Sequence, residues 1–208
     1  RISHKVAVIP NGLESFWLQN RSNPKQGIHN PIQLLCVGKI DKNKNVLCIL
    51  RAMDILKRKE IASHLTVVGQ VLDQKVFDAL NKRNDVTVIG YLTKEELSKY
   101  YASNDIFVMP SIFESFGRVY AEAMSQGLPV IYTKGQGFDG LFPEGEVGSH
   151  TQAKSPEEIA EAIMRISRNY TSISARCIRN SELFDWQRIA QRLQAFYTHS
   201  VDVQKEKK

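Results

Sequence analysis

Cysteine is scarce. Cys36, Cys48 and Cys177 stand far apart in a chain of 208 residues, without the paired spacing that holds zinc or builds a disulfide framework. Cys36 lies in an apolar run and Cys48 in a helical pattern, so both read as buried free thiols suited to a reducing cytosol. The five histidines are scattered, and there is neither an Asp-x-Asp pair nor a His/carboxylate cluster. No metal site is expected. No apolar run approaches the length of a bilayer span, and no signal-peptide pattern is present. A cytoplasmic protein is expected, with association at the inner face of a membrane left open.

The formal charge of +6 suits anionic ligands, nucleic acid or acidic lipid headgroups. Part of the excess sits in Lys205-Glu-Lys-Lys208, which reads as a disordered basic tail. A nucleic-acid partner would need a basic stripe within a recognisable module, and none is found. The composition, 42% apolar and 24% charged, is ordinary for a globular protein of one large domain or two small ones.

Short apolar runs alternate with helical stripes. Val6-Ala-Val-Ile-Pro-Asn-Gly12 reads as a strand closed by a turn, and 20–31 as a mobile polar loop. Strands are expected at 33–39, 64–69, 86–90, 106–109, 130–132 and 147–151. Helices are expected over 45–60, 73–82, 156–168, 172–180 and 185–197, with another opening at Thr93, whose spacing to Glu96 fits a capping box. Strand–helix alternation of this kind predicts an α/β fold, a Rossmann-like parallel sheet with helices on both faces.

The stretch 105–133 organises the rest. A buried strand stops at Pro110, a loop carries Glu114, one helix carries Glu122, and a second buried strand follows. Ser115 is positioned to cap the helix, Gly117 to let backbone approach a ligand, and Gly127 to end the helix. A loop leaving a strand's carboxyl end for a helix N-terminus is where open parallel sheets bind ligands, phosphates in particular. Eight mostly helical positions would set the two carboxylates roughly 10 Å apart along the axis. A sugar nucleotide has comparable length between ribose and sugar ring. The competing reading pairs Glu122 with Arg118 on a solvated face and leaves Glu114 an exposed loop residue. Upstream, Gly38-Lys-Ile-Asp-Lys-Asn-Lys44 ends the first core strand and brings three lysines to the same edge. Taken alone, such a run is a solvated loop; at a strand's carboxyl end it can neutralise a diphosphate.

Pro110-Ser-Ile-Phe-Glu-Ser-Phe-Gly117 running into Ala121-Glu-Ala-Met-Ser-Gln-Gly-Leu-Pro-Val130 resembles the donor-binding domain of GT-B-fold retaining glycosyltransferases, glycosyltransferase family 4 above all. Glu114 and Glu122 match that family's Glu-x7-Glu motif. The resemblance implies the C-terminal half of a GT-B fold, with 1–31 an interdomain strand, turn and loop, 32–183 the nucleotide-sugar-binding domain, and 184–208 a C-terminal helix and tail. Because the chain opens on Arg1 and a similar Ile-Pro-Asn-Gly joins the two domains in the family, a preceding N-terminal domain is expected as partner.

The same resemblance implies transfer of a hexose from a UDP- or GDP-sugar to a carbohydrate or lipid-linked acceptor. No cofactor is expected, the nucleotide sugar being substrate. Glu114 would position the sugar and Glu122 the ribose. Lys39 and Lys44 match the family's Arg-x4-Lys diphosphate contacts, with Lys39 in place of the Arg and without its bidentate fork. Gly38, Ser115, Phe116 and Gly117 would line the donor site, and Gly69, Tyr91 and Leu92 the nucleoside pocket, Tyr91 being otherwise a packing residue. Gly135-Gln-Gly-Phe-Asp-Gly140 spells a dinucleotide fingerprint, but Pro143 and Gly145 follow where a helix should open. It reads as a flexible loop near the donor in which Gly137 fits the family pattern and Asp139 stands near its Glu. A non-hydrolysing sugar-nucleotide epimerase and a non-catalytic nucleotide-binding module remain as alternatives.

Overall fold

The computed structural model describes residues 8–205, with side chains through residue 198. The start of the expected strand at Val6 and Ala7 and the tail 206–208 lie outside the described residues. Among the described residues six strands form one sheet: β1 (Ile32–Val37), β2 (Ser63–Val68), β3 (Val86–Ile89), β4 (Ile106–Val108), β5 (Val130–Thr133) and β6 (Gly148–Thr151). All pairings are parallel and the order is β3-β2-β1-β4-β5-β6. Helices α1 (Ser15–Gln19), α2 (Val46–Arg58), α3 (Gln74–Asn81), α4 (Lys94–Ser103), α5 (Arg118–Ser125), α6 (Pro156–Arg168), α7 (Tyr170–Ser181) and α8 (Trp186–Lys205) surround it. Helix α2 packs with α3 and α6, while α5 packs with α1 and α7.

The central strands are covered on both faces, which is why they read as unbroken apolar runs. Leu34, Leu35, Ile106, Phe107, Val108, Val130 and Ile131 are all buried. Strand β3 is an edge and only half-buried. All three cysteines are buried and free. Burial pushes the Cys36 thiol up to about 12, so it stays protonated and inert.

Local signals set the helix ends. Asp73 accepts hydrogen bonds from the amides of Lys75 and Val76 at the start of α3. Thr93 and Glu96 form the expected capping box on α4, and Ser155 caps α6 ahead of Pro156. Gly127 closes α5 in a Schellman arrangement. Its φ is +77°, its amide reaches the Met124 carbonyl at 3.0 Å, and the Leu128 amide reaches Ala123 at 3.0 Å. Gly127→Ala is therefore expected to lower stability by about 1–2 kcal/mol, read as a lower urea midpoint at unchanged m-value.

Two expectations are corrected, and one helix was unforeseen. Residues 8–14 form no strand. They lie against the C-terminal segment instead, with the Leu13 amide on the Phe184 carbonyl at 2.8 Å and the Trp186 ring over Gly12. The loop 20–31 is tied down rather than loose. Lys25 Nζ donates to the carbonyls of Tyr101 and Ala102 at 3.3 and 2.5 Å, satisfying the end of α4. The buried Asp105 carboxylate accepts from the His29 and Gln33 amides at 3.2 and 2.8 Å. Finally, the five-residue α1 was not anticipated; its single buried side chain, Trp17, is too little periodicity to show in sequence.

Candidate active site

The strand order reverses between β1 and β4, and the loops leaving their carboxyl ends meet there. In open α/β sheets this switch point is where ligands bind. Gly38 ends β1 at φ +151° with the Lys44 side chain over it, and Gly69 ends β2 so close behind that a Cβ would stand 1.9 Å from the Gly38 carbonyl. Gly69 thus packs one strand end against the next.

The β4 loop is held from both sides. The amides of Ile112 and Phe113 donate to the Asn43 main-chain and side-chain oxygens at 2.8 and 3.0 Å, and Asn43 Nδ2 donates to the Phe113 carbonyl at 3.0 Å. On the other side Gln136 accepts from the Glu114 amide at 2.9 Å and Gly137 donates to the Glu114 carbonyl at 3.1 Å. A Cβ on Gly137 would fall 1.6 Å from the Ser115 carbonyl, so only glycine permits this contact.

Lys44 and Glu114, both largely buried, form an ion pair of 2.6 Å between the two loops. A cleft of about 300 Å³ opens beside them, lined also by Asn11, Gly38, Ser115, Gly117, Arg118 and Glu122. A hollow of about 330 Å³ between Val8, Phe142, Leu183 and Arg192 is mostly apolar and brings no carboxylate together with its cation. The charged side chains gather instead in the switch-point cleft.

Helix α5 begins at Arg118 with Gly117 as its N-cap at φ +74°, and no side chain caps it. Ser115 therefore does not cap; the left-handed turn at Gly117 already directs the chain, and Ser115 sits exposed upstream. Only half of the Glu114–Glu122 spacing is helical, so Glu114 turns back to Lys44 instead of extending the axis. Glu122 does not sit on a solvated face. It accepts a hydrogen bond from Tyr101 Oη at 3.2 Å. Burial pushes its carboxyl up to about 7, against the opposing pull of the Tyr101 hydroxyl and the Arg118 charge.

Of the other expected residues, Phe116 also lines the cleft, and the rest fall further out. Lys39 is exposed and does not line the cleft. Phe116 turns its ring into an aromatic cluster with Phe138 and Phe184, leaving its backbone at the site. Leu92 packs on the core, whereas Tyr91 is 85% exposed, which removes its alternative role as a packing residue. Both follow the edge strand β3. Residues 135–140 form turns without a helix, as expected, but the loop is anchored rather than flexible. Phe138 is buried, and Asp139 is engaged by the Gly135 amide at 2.7 Å and His150 Nδ1 at 2.9 Å. Asn11, Asn43 and the cleft-facing role of Arg118 were not anticipated. Arg118 at the first position of a ligand-facing helix was the available signal.

Among the described residues, no group of three or more His, Cys, Asp or Glu side chains could hold a metal ion. None of their helices is long and apolar enough to cross a membrane.

A Rossmann-like parallel sheet with its loops and two carboxylates converging on the switch point is the architecture of a GT-B-like glycosyltransferase domain. The chain belongs to the family described as "Glycosyl transferases group 1", which matches residues 19–184. It is 30% identical over 156 residues to the sulfoquinovosyl transferase SQD2 of Arabidopsis thaliana, covering 72% of this chain and 30% of that protein. To the D-inositol 3-phosphate glycosyltransferase of Paenarthrobacter aurescens it is 27% identical over 207 residues, covering 89% of this chain and 50% of that one. The chain thus spans half or less of these curated relatives. Its fold matches sucrose-phosphate synthase from Thermosynechococcus elongatus with a TM-score of 0.73 at 23% identity, over 97% of this chain and 54% of that one. Anabaena HepE, crystallised with UDP and glucose, matches with a TM-score of 0.68 at 21% identity, over 81% of this chain and 48% of that one.

Proposed function

We propose that this chain is the donor-binding half of a retaining GT-B glycosyltransferase of family 4, acting in polysaccharide or glycolipid synthesis on the cytoplasmic side. It would take a hexose from a UDP- or GDP-sugar and pass it to a carbohydrate or lipid-linked acceptor presented by an N-terminal domain. The boundaries would be 1–31, 32–183 and 184–208 as read from sequence. The observation that carries this is one switch-point cleft holding Lys44, Glu114, Arg118 and Glu122 together.

The chemistry follows from charge. As the bond from the sugar's anomeric carbon to the diphosphate oxygen breaks, negative charge grows on the leaving diphosphate. Lys44, Arg118 and the amides at the start of α5 would face that charge, and Lys39, outside the cleft lining, would reach the diphosphate only by swinging inward. Lys44 is held by Glu114 before a donor arrives, so binding exchanges one anion for another. Lys44 passes to the phosphate, and Glu114 is released to accept hydrogen bonds from sugar hydroxyls. Glu122 takes the ribose hydroxyls. The names of SQD2 and the D-inositol 3-phosphate enzyme support glycosyl transfer, and the UDP and glucose crystallised with HepE support a nucleotide-sugar donor. Gly69, Tyr91 and Leu92 would border the base.

Titration calorimetry of the chain with UDP, GDP, ADP and their glucose or mannose conjugates tests the reading. One nucleoside diphosphate should bind, with or without EDTA, and no sugar should be transferred by these 208 residues alone. Absence of binding to all of them would reject the donor site. Binding abolished by EDTA and restored by Mn²⁺ would reject the metal-free phosphate site.

A further inference from the structure

We infer that Asn43 is a positioning residue for the Lys44–Glu114 pair, an inference resting on the donor-site reading. Three successive residues of the β1 loop grip the β4 loop. Asn43 holds the Phe113 peptide from both ends with its side-chain amide, at 3.0 Å each way, and takes the Ile112 amide on its carbonyl at 2.8 Å. Lys44 then meets Glu114, and Asn45 Nδ2 donates to the Pro110 carbonyl at 3.0 Å. The Asn43 amide thereby imitates a paired backbone unit between loops 70 residues apart.

The need for such a grip is visible in the loop itself. Ile112 and Phe113 are 46% and 70% exposed, so their side chains do little to anchor it in the core. Buried Ser111 and Phe116 fix its two ends, and between them the exposed pair is placed by polar contacts. Glu114, just after them, has its own amide and carbonyl held by Gln136 and Gly137. Asn43 fixes the loop on the lysine side of that residue. With both backbones pinned, only the side chains of Lys44 and Glu114 need move when Lys44 exchanges carboxylate for phosphate. Freedom in either backbone would have to be lost on binding and would weaken it.

A residue that merely stabilised the fold would lower the melting temperature and leave the affinity of the folded protein unchanged. A positioning residue acts through its neighbours, so its effect vanishes when the neighbour is gone. The test is a calorimetric cycle of wild type, Asn43→Ala, Lys44→Ala and the double variant, titrated with UDP and GDP. Asn43→Ala should weaken the diphosphate that binds about 5–20-fold, and add less than twofold once Lys44 is absent. Asn43→Asp, nearly isosteric, keeps the acceptor for the Phe113 amide but faces its carbonyl with a carboxylate oxygen. It should lose as much, and stands in if the alanine variant fails to fold. Wild-type affinity in Asn43→Ala, or losses that simply add, would overturn the inference. A readout without nucleotide separates it from the donor reading: the ¹⁵Nζ resonance of ion-paired Lys44 should shift towards that of a free lysine in Asn43→Ala and Asn43→Asp. An unchanged resonance overturns the clamp whether or not nucleotide binds, whereas a shifted one with no nucleotide bound by wild type leaves the clamp standing and rejects the donor site.

Discussion

In the Lys44→Ala variant, affinity for the nucleoside diphosphate is expected to fall about 10–100-fold, the worth of one charge-assisted hydrogen bond of roughly 1.5–3 kcal/mol. Stability should fall too. Glu114 retains 13% side-chain exposure and loses a cation at 2.6 Å, leaving a mostly buried carboxylate without its counter-charge. A fully buried pair broken this way costs about 3–5 kcal/mol, and the open cleft beside this one brings the expectation down to about 1–3 kcal/mol. Glu114→Ala should behave oppositely towards the free nucleotide. Without its carboxylate, Lys44 no longer has a partner to leave, so nucleoside diphosphate binding is spared or strengthened while the added affinity of the sugar nucleotide is lost. Lys44→Arg keeps the charge but replaces the compact ammonium that meets Glu114 at 2.6 Å with a broader planar guanidinium. Calorimetry on these variants with UDP, GDP and their hexose conjugates, beside urea unfolding, checks each sign. Equal losses in Lys44→Ala and Glu114→Ala on the free nucleotide would reject the exchange of anions.

Much of this site was legible because its signals are local. A strand stopped by Pro110 and a C′ Gly127 are each written in one residue, and the doubly covered strands announce themselves by unbroken apolar runs. The capping box at Thr93 and the thirteen-residue stripe of α6 were equally plain. What the sequence hid depends on contacts between distant segments. Nothing near Asn43 indicates that its amide would bind Phe113, nor anything near Lys25 that it would close the end of α4. The Lys44–Glu114 pair also lay outside local reading. Each residue carried its own role by spacing, and only the strand order brings the two loops together. Ser115 shows the reverse error, since serine before a helix is a good cap by propensity, but a glycine turn two residues on took that position.

Glu122 makes the second large prediction, one of pH. Its carboxyl is pushed from 4.5 up to about 7, chiefly by burial. In the unfolded chain it ionises near its ordinary value, so between about 4.5 and 7 the native state binds the extra proton. Stability contributed by this group is therefore full below about pH 4.5 and is lost as pH rises through 7. By pH 8 the ionised carboxylate costs up to about 3 kcal/mol, somewhat less where solvent enters the cleft. Glu122→Gln cannot ionise, and the Tyr101 hydroxyl still has an amide oxygen to donate to. The variant should match wild type in stability near pH 5 and exceed it at pH 8, giving a flatter profile in urea unfolding. Nucleotide binding should run the other way. Ribose hydroxyls donate, and the carboxylate is the better acceptor. Wild-type affinity should thus gain roughly tenfold from pH 6 to 8 as Glu122 ionises, beyond whatever the phosphate's own titration contributes. Glu122→Gln carries that phosphate titration alone and is the control. At pH 8 it should bind free nucleotide and sugar nucleotide equally more weakly than wild type, because both carry the ribose. Parallel pH profiles for wild type and Glu122→Gln, in stability and in affinity alike, would show that Glu122 neither holds a proton into the neutral range nor meets the ribose.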